Sequence, residues 1–155
     1  PFNVQNIGGR LYVTYAMQDA DKHDEVDGAG LGYVDVFSTD GHLLQRLQHT
    51  DFLNAPWGIA LAPSDFGVFS HDLLVGQFGS GNILVFDPVT GGFRGRMIGT
   101  NSQPIAIDGL WGIGFGNDSS AGNATTLFFA AGPEHESHGL FGTLTAVENV
   151  LGGDQ

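Results

Sequence analysis

The chain contains no cysteine. Disulfides, thiolate metal sites and a cysteine nucleophile are therefore excluded. Cationic side chains are nearly as scarce. Lys22 and four arginines stand against 17 acidic residues, giving a formal charge of −12. Phosphate recognition needs clustered Lys and Arg, so nucleic acid is not the expected partner. Cations or a basic partner fit that charge, and acidity that only keeps the protein soluble is the plainer alternative. No apolar run approaches the roughly 18 residues of a membrane span. No stretch has the pattern of a convincing helix, so no Gly-rich phosphate loop opens one. The Gly-x-Ser-x-Gly elbow of a serine hydrolase is also missing, and Gly79-Ser80-Gly81 reads as a hairpin turn. Pro1 begins the chain without Met or a signal peptide, which leads to the expectation of a processed or trimmed product.

Glycine, at 25 of 155 residues, and 12 phenylalanines favour short strands joined by tight turns within one ordinary domain. Pro56-Trp57-Gly58-Ile59-Ala60 recurs 54 positions later as Leu110-Trp111-Gly112-Ile113-Gly114. A period of this size built from short strands predicts a solenoid or propeller. The second unit is predicted to hold strands over Gly58–Pro63, Asp72–Phe78, Asn82–Pro88 and Gly92–Met97. The first unit parallels it with Val4–Gly8, Arg10–Ala16, Tyr33–Thr39 and Leu43–Gln48, interrupted by the insertion Met17–Gly32. The third unit offers Gly112–Asn117, Thr125–Gly132 and Gly139–Val147, after which Glu148–Gln155 makes a poor fourth strand. The expected fold is all-β, with about three four-stranded propeller blades over 1–54, 55–108 and 109–155. A closed ring typically needs about four to eight blades. The expected partner is thus a second copy of the chain or a missing N-terminal half, closing a ring of six.

Pro-Trp-Gly-Ile-Ala, the Leu-Leu-Val strand and Asn82-Ile-Leu-Val-Phe-Asp-Pro-Val-Thr-Gly91 resemble NHL-type six-bladed propellers. Pro1–Ile7, Tyr15–Asp24, Asp108–Gly112 and His138–Gly142 are more closely similar to the C-terminal half of an uncharacterised family of secreted propellers. Some members of that family carry PEP-CTERM sorting signals. The resemblance implies a propeller located outside the cell or in its envelope, and implies no activity.

Propeller geometry would put the loops between second and third strands on one face, together with the inter-blade segments. That face collects Asp19, Asp21, His23, Asp24, Glu25 and Asp27 from the first unit. The third unit adds Glu134, His135, Glu136 and His138. Asn54 and Asp108 stand three residues before Trp57 and Trp111, whose expected role is packing between blades. Clustered carboxylates repel and a cation relieves them, with oxygen ligands suiting Ca²⁺. Asp19, Asp21, Asp24, Glu134 and His138 are therefore expected ligands of one divalent cation, most simply Ca²⁺, against the alternative of a solvated acidic surface. Neither an EF-hand loop nor the HExxH spacing is present. The sequons at Asn117 and Asn123 are candidate N-glycosylation sites on the opposite face. The expected function is an exported binding or scaffold protein with a ligand face. A metal-dependent hydrolase or lactonase and a purely structural subunit are the alternatives, so enzymatic activity is left open.

Overall fold

Alternating apolar residues between Gly-rich turns form short antiparallel strands, because one face of each strand must be buried while the turns need conformational freedom. The computed structural model describes residues 1–147. Its first sheet has the order β1 (Asn3–Ile7), β2 (Arg10–Tyr15), β5 (Tyr33–Ser38), β6 (Leu43–Arg46). The second runs β7 (Pro56–Leu61), β8 (Leu73–Gln77), β9 (Ile83–Phe86), β10 (Phe93–Arg96). The third comprises β11 (Leu110–Phe115), β12 (Thr126–Ala131) and β13 (Leu140–Thr145). The chain is all-β, built of successive antiparallel sheets, and none of these sheets closes on itself. The poor fourth strand expected over Glu148–Gln155 lies outside the described residues.

Two expectations need correction. The insertion Met17–Gly32 is not a plain loop, since β3 (Met17–Gln18) and β4 (Glu25–Val26) pair within it as a small hairpin. Helical turns also occur where none was expected, a 3-10 turn at Gly67–Phe69 and α1 at Pro133–Glu136. Both are too short to leave a periodic signal.

The repeated Trp-Gly segment is a β-bulge. Pairing jumps from Pro56↔Gln77 to Ile59↔Val75 in the second sheet, and from Leu110↔Ala131 to Ile113↔Phe129 in the third. With the first strand of each sheet (β1, β7, β11) taken as its inner strand, β7 and β11 each carry one extra residue at the tryptophan and begin two residues earlier than the alternation suggested. Registers extend the repeat to the first sheet. Val4 pairs with Val13 as Ile59 pairs with Val75, which makes Phe2 and Asn3 the counterparts of Trp57 and Gly58.

Successive sheets stack face to face. One core cluster joins Tyr12, Val34 and Val36 of the first sheet to Ile59, Leu73, Val75 and Phe86 of the second. Another joins Ala60, Leu74, Ile83 and Val85 to Leu110 and Leu127 of the third. The tightest point is Gly58, where a Cβ would stand 2.7 Å from the Trp111 carbonyl and 2.8 Å from the Ile113 amide. At the equivalent Gly112 a Cβ would meet nothing within 4 Å. Gly58→Ala is accordingly expected to cost about 2 kcal/mol, because β11 must move. Within the single chain, Gly112→Ala should shift stability by less than about 0.5 kcal/mol. Urea midpoints of the two variants check this contrast.

On the second sheet, Arg94 bridges Asp72 and Asp87. Burial pushes the Asp72 carboxyl above its ordinary range, which Arg94 partly offsets. Backbone amides, led by that of Thr90, and the Arg94 guanidinium pull Asp87 down to about 2. Asp87 thus adds stability above the ordinary carboxylate value and loses it only as the pH falls toward about 2. The charge on Asp72 opposes folding above its raised value, and acid relieves it. Arg94→Ala should lower the melting temperature more at pH 7 than at pH 4, and adding Asp72→Asn should recover part of the pH 7 loss.

Candidate functional site

The start of each inner strand lies beside the end of the strand that follows it, so Phe2, Trp57 and Trp111 all reach the same loop end of the stacked sheets. They form a row. Ring centroids of Phe2 and Trp57 are 4.3 Å apart, and those of Trp57 and Trp111 are 6.4 Å apart. Phe78 joins from the second sheet, 6.0 Å from Trp57. The Trp57 carbonyl, exposed by the bulge, accepts from Asn3 Nδ2 at 3.1 Å. Trp111 lies over Gly132, where any Cβ would strike the indole at 2.2 Å. The indole Nε1 donates to Glu136 Oε1 at 2.7 Å. The tryptophans therefore do pack between sheets, and both remain half-exposed.

The polar residues around this row act as clamps. Asn54 Oδ1 accepts from the Gly28 amide at 2.6 Å, and the Asn54 amide donates to Gln77 Oε1 at 2.8 Å. Asn54 thereby ties the first loop to the second sheet. Asp27 packs in the same place, where Gly79 leaves no room for a Cβ. Asp108 Oδ2 instead accepts from the Glu134 amide at 2.9 Å, fixing the third sheet's own turn. The two residues are equivalent in sequence, but they hold different partners.

The third-sheet turn is left-handed. Glu134, His135 and Glu136 have φ of 54°, 55° and 60°. L-residues pay roughly 1–2 kcal/mol each in that region. Asp108, the Glu136 amide bonded to the Gly132 carbonyl and the indole bond to Glu136 hold the turn in place. His138 Nε2 stands 3.4 Å from Glu134 Oε2, both well exposed.

In the first loop Asp19 accepts the His23 amide at 2.8 Å, closing the β3–β4 turn. Asp21, His23 and Asp24 face solvent. A cleft of about 390 Å³ runs between this hairpin and the N-terminus, lined by Phe2, Tyr15, Met17, His23, Asp24 and Glu25. Among the described residues, no three His, Asp or Glu side chains gather closely enough to hold a metal ion. The five expected ligands stand as two groups, Asp19, Asp21 and Asp24 on the hairpin and Glu134 with His138 on the turn. Asn117 and Asn123 sit in the exposed β11–β12 loop, at the opposite end of β12 from the turn. Their side-chain carbonyls accept backbone amides of that loop.

Phe2 and Phe78 were not singled out from sequence, and Glu136 was read only as one of the third unit's loop carboxylates, not as the partner of Trp111. Aligning Pro1-Phe2-Asn3-Val4-Gln5 under Pro56-Trp57-Gly58-Ile59-Ala60 would have exposed Phe2 as the row's first member.

The chain is similar to three proteins of Acanthamoeba polyphaga mimivirus. It is 35% identical over 145 residues to uncharacterized protein R648, covering 93% of this chain and 35% of that protein. It is 40% identical over 114 residues to uncharacterized protein R640, covering 73% and 21%. With uncharacterized protein L690 it shares 33% over 145 residues, covering 93% and 37%. The chain thus spans about a third, or less, of the length of the curated relatives it matches. No family model matches the sequence. No solved structure matches it either.

The left-handed turn gives a clean stability test. The His135 side chain makes none of the bonds that hold the turn, so His135→Gly removes only the cost of its conformation. It should raise stability by about 1 kcal/mol, seen as a higher denaturant midpoint with unchanged slope.

Proposed function

We propose that the chain is a segment of an NHL-like β-propeller that works as an exported binding scaffold. Its loop face takes ligands bearing positive charge. The observation that carries this reading is the row Phe2–Trp57–Trp111, one half-exposed aromatic from each sheet, rimmed by the carboxylates of the hairpin and of the left-handed turn. Aromatic faces attract cations, and nearby carboxylates add to that field. The formal charge of −12 acts in the same direction. Export rests on the resemblance to secreted propellers. The separation of the hairpin carboxylates from Glu134 and His138 favours an organic cation or basic peptide over a single shared metal ion. In this reading Asn54 and Asp108 position the rim, and Glu136 orients the Trp111 indole.

The protein's two tryptophans both belong to the row, so tryptophan emission, excited selectively over the three tyrosines, reports on it alone. Titration with tetramethylammonium chloride, against sodium chloride at equal ionic strength, should give saturable quenching. Trp57→Leu should weaken the apparent affinity about tenfold, the size of one cation–π contact. Emission that follows ionic strength alone would overturn the reading.

A further inference from the structure

The three sheets repeat one face-to-face contact, and registers identify the positions that make it. Tyr12, Val34 and Val36 on the first sheet correspond to Leu74, Ile83 and Val85 on the second, and to Phe128, Phe141 and Thr143 on the third. On the first sheet these positions are covered by the second, leaving Tyr12 5% exposed and both valines 0%. On the second they are covered by the third, leaving Leu74 and Ile83 0% exposed and Val85 1%. On the third nothing covers them among the described residues. Phe141 is 71% exposed and stacks on Phe128 with centroids 5.8 Å apart.

The inner-strand positions tell the same story. Asn3 donates to the Trp57 carbonyl of the next sheet, and Gly58 admits the Trp111 carbonyl. Gly112 and Gly114 face open space. A strand of bare glycines beside two aromatics is costly to leave in water, and it has the shape that receives another backbone.

The chain also carries the matching surface. Registers make Leu11, Val13 and Phe37 of the first sheet the counterparts of Leu73, Val75 and Phe86, which pack against the preceding sheet. Leu11, Val13 and Phe37 are only half-buried, because no sheet precedes them among the described residues. One end of the stack is a socket and the other is its plug.

We propose that the outer face of the third sheet, centred on Gly112, Phe128 and Phe141, binds the outer face of the first sheet of a second copy of this chain. The proposal rests on reading the chain as part of a ring of sheets. The contact repeats the geometry used twice within the chain, so it asks for no new kind of surface. Two such contacts close two copies around a two-fold axis into a ring of six sheets.

Sedimentation equilibrium of the 155-residue chain tests it. The expected particle has twice the chain mass of 16.4 kDa. Gly112→Val adds atoms only where the single chain has open space, and Phe141→Glu changes a side chain already in water. Both variants should keep the wild-type circular dichroism and sediment as monomers. A monomeric wild type overturns the proposal, and so does a dimer that both variants leave intact. A monomer whose tryptophan emission still saturates with tetramethylammonium would overturn the assembly while leaving the loop-face reading standing.

Discussion

The separation between successive inner strands governs the rest of the architecture. The bulge at each tryptophan turns a carbonyl out of the ladder, and the residue after each aromatic decides how closely the next strand approaches. At Gly58 the absence of a Cβ brings the Trp111–Ile113 backbone into contact. At Asn3 the same gap is spanned by a side-chain amide bonded to Trp57. The two solutions hold neighbouring sheets at a spacing that aliphatic side chains can fill from both sides. Leu73, Leu74, Val75, Ile83 and Leu84 are all fully buried as a result. A sheet with both faces covered reads as continuous apolar runs, and β8 and β9 do so.

That spacing also determines what reaches the loop end. Aromatics at equivalent positions of adjacent inner strands form a row, with Phe78 packed beside it. The polar residues around the row are then constrained by satisfaction. No buried side-chain nitrogen or oxygen lacks a partner among the described residues. Asn54 and Gln77 satisfy one another's neighbourhood, and Asp108 pairs with the turn amide of Glu134. Such groups contribute order to the loops, since an unpaired buried polar atom would cost about 1–3 kcal/mol. The strained turn persists because three separate bonds over-determine it.

Much of the fold was legible from Trp57-Gly58 and Trp111-Gly112, because a bulge of fixed geometry leaves a fixed sequence mark. All eleven strands expected from alternation occur, with no end moved by more than two residues. The hairpin in Met17–Gly32 was hidden because two-residue strands are held by pairing rather than by side-chain pattern. The left-handed turn was hidden for a different reason. Glu134, His135 and Glu136 have no intrinsic preference for positive φ, and only the tertiary bonds to Asp108 and Trp111 select it. Asn54 and Asp108 were recognised as equivalent, but their different partners depend on loops of unequal length. The acidic groups were legible as composition. Their separation into two clusters was not, since which loops lean together is decided by packing between sheets.

Trp111 belongs to both surfaces that remain open. Its ring ends the aromatic row, and its backbone continues into Gly112, at the centre of the uncovered sheet face. The corresponding Trp57 shows what completion does. With a sheet on either side, its carbonyl is bonded by Asn3 and its ring is flanked by both Phe2 and Trp111. A sheet docked on Gly112 would give Trp111 a second aromatic neighbour in the same manner and lengthen the row by one member. The proposed ligand capture and the proposed stack closure would therefore share a residue, and by linkage any ligand that prefers the longer row would strengthen the closure by the same factor. Two open surfaces converge on one tryptophan, so the proposed binding and the proposed assembly would be parts of a single equilibrium.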